Sequence, residues 1–551
     1  MNPKQTAIQL LVGNIRLSLD EDEEKALESA KQKLQKIGVF ASMRDLKVFK
    51  RSIDARNKED VHFVVSVLAT LPAASKLPGK QALDRIHAGI LSCEDPVLSI
   101  GNAHMPGRPL VVGMGPAGLF AALLLAENGY APILIDRGAS VEERVRDTEK
   151  FFAEGILDPE SNVQFGAGGA GTFSDGKLVT RIKDPLCRFV LDTFVRFGAP
   201  EEILLKAKPH VGTDLLRGVV SGMLDEIVRL GGEVRYHCRL DDFSECPDGS
   251  LKVKTSQGEF SSGALILAIG HSARDTYQRL LEKSFALEPK PISVGLRAEH
   301  LQSEIDESLY GSFAGHPKLG PAEYSLSDTR GERGVYTFCM CPGGEVVAAA
   351  SEEGGLVVNG MSRHARAGKN ANAAVAVSVS PNDIEPLDGN KILGAIAFQR
   401  SLERAAYQAG GGDYFAPAMT LGDFMAGRTG TQPSRVLPSY RDGKVRVADF
   451  TGIYPEFVLR GLRYGFASFG RQLKGYDDPD TVLTAAETRT SAPLRILRDP
   501  EGYHALGHAS VYPCGEGAGY AGGITSAAVD GLRATLALMK KFAPSKGDKI
   551  P

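Results

Sequence analysis

Residues 109–138 read Pro-Leu-Val-Val-Gly-Met-Gly-Pro-Ala-Gly-Leu, then an alanine- and leucine-rich run to Asn128-Gly129, then Ala-Pro-Ile-Leu-Ile-Asp-Arg-Gly after Tyr130. This stretch decides the fold, because it orders a strand, a tight turn, a helix and a second strand. Pro109 to Val112 is a short apolar run bounded by glycine, as a buried parallel strand requires. Gly113, Gly115 and Gly118 fill G-x-G-x-x-G, with Pro116 and Ala117 inside the pattern. There the first glycine allows the turn, the second lets main-chain N–H groups approach a pyrophosphate, and the third packs helix on strand. Leu119 to Asn128 reads as the helix, whose N-terminus offers unpaired N–H groups and partial positive charge. Ala131 to Ile135 is the second strand. Asp136, followed by Arg137 and Gly138, stands where a carboxylate accepts from a ribose 2′-hydroxyl and repels a 2′-phosphate. The stretch predicts a dinucleotide-binding α/β unit and leaves FAD and NAD both open.

The chain around it has 551 residues, enough for two or three domains with a core each. Hydrophobic residues make up 43% and the net charge is −3, so this is an ordinary globular balance with no general attraction to nucleic acid or anionic membrane. Seven cysteines, at 93, 187, 238, 246, 339, 341 and 514, are few and odd in number, which points to a reducing cytoplasm rather than a secreted disulfide framework. The opening Met-Asn-Pro-Lys-Gln has no signal-peptide pattern. The most membrane-like stretch, Leu110 to Ala126, is the nucleotide strand and helix itself, so no membrane association is expected.

Residues 1–95 read as a small separate α/β module. Ile8 to Leu19 suits a strand, and Asp20 suits the cap of a helix with Glu21, Asp22, Glu23 and Glu24 in its first turn. Ala26, Leu27, Ala30 and Leu34 give that helix an apolar face, and Gly38 ends it. Leu46–Ile53 and Val61–Leu68 read as further strands. Lys47, Lys50, Arg51, Arg56 and Lys58 form a basic footprint, read as a solvated face rather than an RNA surface. Pro96, Gly101, Pro106 and Gly107 mark 93–108 as a linker. Helices are expected over 141–155, 184–197 and 212–230, strand-like alternation over 233–262, and a short strand over 265–269. Residues 290–490 are mixed, and Thr525–Met539 reads as a closing helix.

Two further glycine clusters flank the chemistry. Gly166-Ala-Gly-Gly-Ala-Gly171 repeats G-x-G-x-x-G by letters, but polar residues rather than a strand precede it. Gly171 to Lys177 approaches a P-loop, yet Leu178 stands where Ser or Thr is needed. What remains is a loop with Gly168, Gly169 and Ala170, beside Ser174, Asp175 and Lys177, suited to close ligand approach. Gly515-Glu516-Gly-Ala-Gly-Tyr-Ala-Gly522-Gly523-Ile524 follows a short strand and opens a helix. Glu516 can accept from sugar-alcohol hydroxyls, and the helix N-terminus suits a reduced, anionic ring. This distant terminal element favours FAD, since a simple NAD domain has no use for it.

The chain resembles a bacterial family of uncharacterised FAD-dependent dehydrogenases, within the superfamily shared by glutathione reductase and the succinate dehydrogenase flavoprotein. The resemblance rests on 111–120, on Ser-Asn-Val-Gln-Phe-Gly from 161 through Leu178, and on Pro-His-Val-Gly-Thr-Asp from 209. It continues through Phe-Cys-Met-Cys-Pro-Gly-Gly from 338, Val-Asn-Gly-Met-Ser from 358, Glu-Thr-Arg-Thr-Ser from 487, and the segment from 515. Ala167, where Glu is expected, and Leu301, where Pro is expected, depart from the pattern. The resemblance implies an α/β fold with a Rossmann-like, discontinuous FAD-binding domain over 105–290 and 495–545. It also implies an inserted mixed α+β substrate domain over 291–494, and a strand-end turn at Ala268-Ile-Gly270-His271.

Four residues are carried as catalytic candidates. Cys339 and Cys341 offer a thiolate near a flavin, or are two small buried residues of a strand; C-x-x-C is the commoner redox spacing. Arg489, supported by Glu487 and Thr490, can bind a substrate carboxylate in bidentate fashion, and His271 can act as acid or base. His210, His300 and His364 read as structural, Arg363 is a further carboxylate candidate, and Arg366 reads as a solvated surface residue. Cys514 reads as a packed strand-end residue, and no metal site is expected. The expected function is an FAD-dependent oxidoreductase moving hydride between flavin N5 and a small-molecule substrate, with NAD(P)H as a transient reductant. The alternative is a flavin-binding sensor or assembly protein whose N-terminal module recruits a partner.

Overall fold

The computed structural model describes residues 7–91 and 98–544. Cys93, Pro96, the opening residues and the last position of the 495–545 segment lie outside the described residues.

The quoted stretch forms the centre of a five-stranded parallel sheet. Its order is Val511–Pro513, Ala264–Leu267, Pro109–Val112, Ile133–Ile135, Glu233–Arg235. Every pair is parallel. Helix Pro116–Glu127 carries the chain from the central strand to its neighbour and is buried almost all round, which suits its run of Ala and Leu. Strand order reverses at Pro109–Val112, so a crevice opens beyond the carboxyl ends of that strand and Ala264–Leu267. The closing helix Ile524–Lys541 packs on Pro116–Glu127 at Gly531, where a Cβ would come within 2.2 Å of Ala117 O. Tyr130 Oη fixes the end of this helix by donating to Phe542 O at 2.6 Å.

Residues 292–487 build a seven-stranded sheet. Its order is Ser327–Asp328, Val335–Cys341, Asn370–Val379, Ile292–Leu301, Val482–Glu487, Ala416–Thr420, Val445–Val447. It is antiparallel except for the last pair. Its central strands are buried on both faces, and helix Glu456–Gln472 packs on it through Leu459, Leu462 and Phe466. Two short strands, Leu287–Pro289 and Leu494–Ile496, pair antiparallel where the chain passes between this sheet and the parallel one.

The N-terminal sheet runs Leu46–Asp54, His62–Pro72, Ala7–Ser18, Ala88–Ile90, all antiparallel, with helix Glu23–Gln35 against it. Strand, helix, strand, strand, helix, strand in this order is a ferredoxin-like unit. The N-cap of the first helix is Asp22, not Asp20, and the acidic side chains of the turn Asp20–Asp22 stay in solvent. The basic footprint is not wholly solvated either. Arg51 N donates to Leu205 O at 2.7 Å, so the edge strand docks on the parallel-sheet lobe. The described part of the expected linker is also tied down: Gly101 N donates to Met539 O at 2.8 Å.

Among the described residues no helix is long and apolar enough to cross a membrane.

Candidate functional site

A cavity of about 320 Å³ lies in the crevice at the strand reversal and runs into the face of the seven-stranded sheet. One end is the first glycine turn. Gly113 has φ +102°, and a Cβ there would stand 2.3 Å from Ala268 O, so only glycine lets the two strand ends close up. Gly118 meets the carbonyl of Gly113, where a Cβ would lie 1.8 Å from the oxygen. It packs helix on strand and does not line the cavity. Gly115, Pro116 and Ala117 do line it, with first-turn N–H groups that have no intrahelical partner.

Asp136 lines the cavity but is not the free ribose acceptor that its position suggests. Oδ2 accepts from Met114 N at 2.8 Å, and Oδ1 accepts from Gly138 N and Gly166 N, each at 2.9 Å. Three of roughly four acceptor positions of a carboxylate are therefore spent on the main chain. Arg137 and Gly138 stand behind this wall. Arg137 pairs with Asp275 at 2.6 Å and covers the Phe165 ring.

The loop at 166–177 forms the opposite wall at this end. Gly169, Ala170, Ser174, Asp175 and Lys177 line the cavity, whereas Gly168 is turned away onto Val220. What holds this loop is Arg144, a residue that sequence reasoning missed. Its buried guanidinium has no carboxylate partner among the described residues; it donates to Asn162 O at 2.8 Å, Ala167 O at 2.6 Å and Val163 O at 2.9 Å. Burial pulls it down to about 9. The signal was present: Val141, Arg144, Thr148 and Phe151 form the buried stripe of helix Val141–Glu154, and a cation stands in it.

The 515–524 segment closes the other side. Glu516, Gly522, Gly523 and Ile524 line the cavity, together with Ala268, Gly270 and His271 from the strand-end turn. Gly515 lies behind, with its amide donating to Asp530 at 2.7 Å. At Gly522, Gly523 and Gly270 a Cβ would meet nothing within 4 Å, so bare main chain faces the space. The Glu516 carboxyl makes no hydrogen bond to the described residues, and burial raises it to about 7, with Lys290 opposing. A half-buried carboxyl without a partner, aimed into the space, fits the hydroxyls of a sugar alcohol.

The far end is built of side chains from the seven-stranded sheet and its flanks: Phe338, Cys339, Asn359, Glu487, Arg489 and Thr490. A bulge between Phe338 and Cys341, with Cys339 at φ +45°, turns Cys339 to the cavity while Cys341 is buried behind it. The neighbouring Cys341 thiol, which donates to Cys339 O at 3.3 Å, lowers the Cys339 thiol below its usual range; burial opposes, and Arg297 and Lys177 help. Cys341 is pushed up correspondingly, by its neighbour Cys339 and by burial. Arg297, fully buried, ties this end together. It donates to Glu487 at 2.8 and 3.1 Å, to Cys339 O at 2.8 Å and to Asn359 Oδ1 at 2.6 Å. Lys177 Nζ reaches Met340 O and lies 3.4 Å from Glu323.

Arg489 reaches the cavity wall with its fork already engaged. Nε and Nη2 donate to Glu403, each at 3.0 Å, and Nη1 donates to Ser351 Oγ. Arg274 grips the same carboxylate at 2.7 and 2.9 Å. Burial pushes Glu403 up, but the two arginines overcome it and hold the carboxyl below the usual range. Arg489 is thus a structural partner of Glu403 rather than a free carboxylate clamp. His271 accepts or donates at 3.0 Å with Ser272 Oγ; burial and then the charges of Arg489 and Arg274 pull it down to about 3, so the ring is neutral.

Of the remaining histidines, His300 is buried with Nε2 on Tyr476 O at 2.9 Å, while His210 and His364 stack away from this cavity. Arg366 is not solvated: it is buried in a bidentate pair with Asp175. Cys514 is packed at its strand end. Among the described residues no group of three His, Cys, Asp or Glu side chains is placed to hold a metal.

A glycine-rich turn at a helix N-terminus, a half-buried acid midway and a long cavity stand together here, and the comparisons give the class of protein as FAD-dependent. Residues 291–490 match the family described as FAD-dependent protein, C-terminal domain-like, and residues 10–70 match a domain of unknown function (DUF8436). The cofactor is FAD. The chain belongs to the same family as an uncharacterized protein of Clostridium beijerinckii. The two are 45% identical over 538 residues, 96% of this chain and 98% of the relative. Among solved structures, CtdE in complex with FAD is similar at 10% identity over 79% of this chain and 84% of its own, with TM-score 0.30. Native FqzB is similar at 13% identity over 76% and 72%, with TM-score 0.31. Likeness this loose says nothing about activity.

Proposed function

We propose that the protein is an FAD-dependent oxidoreductase of the glutathione reductase and succinate dehydrogenase flavoprotein superfamily, with the parallel-sheet lobe as its Rossmann-like domain. The reaction is hydride exchange with a small-molecule substrate at the side-chain end of the cavity. FAD, when bound, supplies the two-electron donor and acceptor chemistry. The observation that carries the reading is the join of three main-chain walls to a wall of titratable side chains in one cavity.

The residues divide the work. Gly115 and the first turn of Pro116–Glu127 hold the pyrophosphate, and Asp136 keeps its last acceptor position for the adenosine ribose. Glu516 accepts from the ribityl hydroxyls. The N-terminus of Ile524–Lys541 places positive potential beside the ring site. At the substrate end, Cys339 offers a thiolate that Arg297 and Lys177 stabilise. His271, held neutral by burial and by Arg489 and Arg274, offers a hydrogen bond through a single ring N–H and a bare ring nitrogen suited to a base rather than an acid.

The test is anaerobic mixing of the FAD-loaded protein with NADH or NADPH, followed by an added acceptor. Bleaching of the flavin band and its return on reoxidation are expected. Flavin that no donor reduces in turnover would instead favour a sensor or assembly role.

A further inference from the structure

A second cavity, of about 380 Å³, opens where the N-terminal sheet meets both lobes. Its walls come from three separated parts of the chain: edge strand Leu46–Asp54, segment 202–210, and the inserted region around 309–323 and 364–366. Main-chain bonds fasten the junction. Arg51 N donates to Leu205 O at 2.7 Å, and Ala207 N donates to Arg51 O at 2.8 Å. The space is therefore built into the fold, and its volume is that of a small-molecule site.

Five cations line it, Arg51, Lys206, Lys208, Lys318 and Arg366, against two carboxylates, Glu202 and Glu323. Lys206 is answered by Glu202 at 2.8 Å. Lys208 makes no ion pair with the described residues; Lys318 donates to Glu21 O at 3.2 Å and lies 3.9 Å from exposed Asp22, and Arg51 lies 3.3 Å from Glu23 at the rim. Between the cations lie apolar surfaces of Ile53, Phe63, Leu309 and Leu319. A lining of surplus positive charge around an apolar middle selects an anion with an apolar body.

The chamber shares a wall with the flavin cavity. Glu323 and Arg366 face the chamber, while Asp175 and Lys177 face the flavin cavity. Arg366 pairs with Asp175 and lies 3.3 Å from Glu323; Lys177 lies 3.4 Å from Glu323 and 3.9 Å from Asp175. The main chain joins the same two sides, with Leu178 N donating to Pro209 O at 2.9 Å. We propose that the chamber binds a small organic anion, a phosphate or carboxylate on an apolar body, and that its occupancy is felt at the flavin through these four charges. An anion drawn to Arg366 competes with Glu323 and Asp175 for one guanidinium, which frees Asp175 and Lys177 to rebalance beside the flavin.

Calorimetry on the full-length, FAD-loaded protein tests this, with phenyl phosphate and benzoate as probes and phenol as the neutral control. At least one anion is expected to bind at one per chain, phenol is not, and saturation should shift the flavin absorption spectrum. Lys208→Glu should weaken the anion by about tenfold, the factor of one lost charge contact. Arg51→Gln, whose strand stays docked through its main chain, should weaken it in the same direction at unchanged FAD content. Glu323→Gln, which removes a competitor for Arg366, should tighten it. Failure of both anions to bind, equal binding of phenol, or unchanged affinity in Lys208→Glu and Arg51→Gln overturns the site. A flavin spectrum unmoved at saturation overturns the coupling.

Discussion

At the end of the flavin cavity nearest the first turn, the walls are main chain: Gly113, Gly115, Gly169 and the amides that Asp136 gathers. At the other end they are side chains held by buried charge: Arg297 with Glu487, and Arg489 and Arg274 with Glu403. On the proposed function, the first end takes what every dinucleotide has in common, and it does so by leaving room. The second fills its space with polar groups in fixed positions, which is how a site distinguishes one substrate from another. One end should therefore fail when an atom is added, the other when a charge is removed.

The largest expected effect is at the side-chain end. Glu403→Gln leaves buried Arg489 on a neutral partner and Arg274 with Glu352 alone, at 3.2 Å, and should cost about 3–5 kcal/mol in urea unfolding. The sign with pH follows from its lowered ionisation. Its contribution is fully present above the ordinary carboxylate value of about 4.3 and is lost as pH falls toward the folded one. The wild-type advantage over Glu403→Gln should therefore shrink in acid. A constant difference across that window would break the charge-based account of this end.

The main-chain end comes next. Gly118→Ala puts a Cβ 1.8 Å from Gly113 O and should cost about 1–3 kcal/mol, with loss of bound FAD read at the flavin band. Gly522→Ala, where nothing lies within 4 Å, sharpens the contrast: its stability should stay within about 0.5 kcal/mol. A Gly118→Ala variant that also stays within about 0.5 kcal/mol would mean that the first turn tolerates bulk after all. The smallest effect on stability is expected for Cys339→Ser. It should nonetheless abolish rapid alkylation at neutral pH, because the lowered thiol is a thiolate below the usual range of about 8.5. Mass spectrometry after iodoacetamide treatment checks this; labelling that continues unchanged would assign the reactive thiol elsewhere.

The contrast also explains what could be read from the sequence. The strand, turn, helix and strand at 109–136 were legible because glycine spacing and apolar runs are local, and the structure has Pro109–Val112, Pro116–Glu127 and Ile133–Ile135 there. The 515–524 cluster was legible for the same reason. Arg297 and Glu487 are 190 positions apart, and Arg274 and Glu403 are 129 apart, so no window of sequence displays either pair. Arg489 looked available because Glu487 and Thr490 stood beside it, while its actual partner, Glu403, came from a distant helix. Arg366 looked like a surface residue because Asp175 is 191 positions away. Cys339 and Cys341 were visible as a pair, but the bulge that separates their environments depends on register with Asn370–Val379.

Tyr130 and Phe542 meet across 412 positions of chain, and the helix before Phe542 covers the helix after Gly115. At about 5–20 residues per second, a ribosome makes the second of these partners some 20–80 s after the first. For all of that time the apolar flank of Pro116–Glu127 waits without its cover, while the intervening sheet is synthesised and can pair. The glycine turn and its helix, made early, are thus among the last parts of the parallel-sheet lobe to be covered.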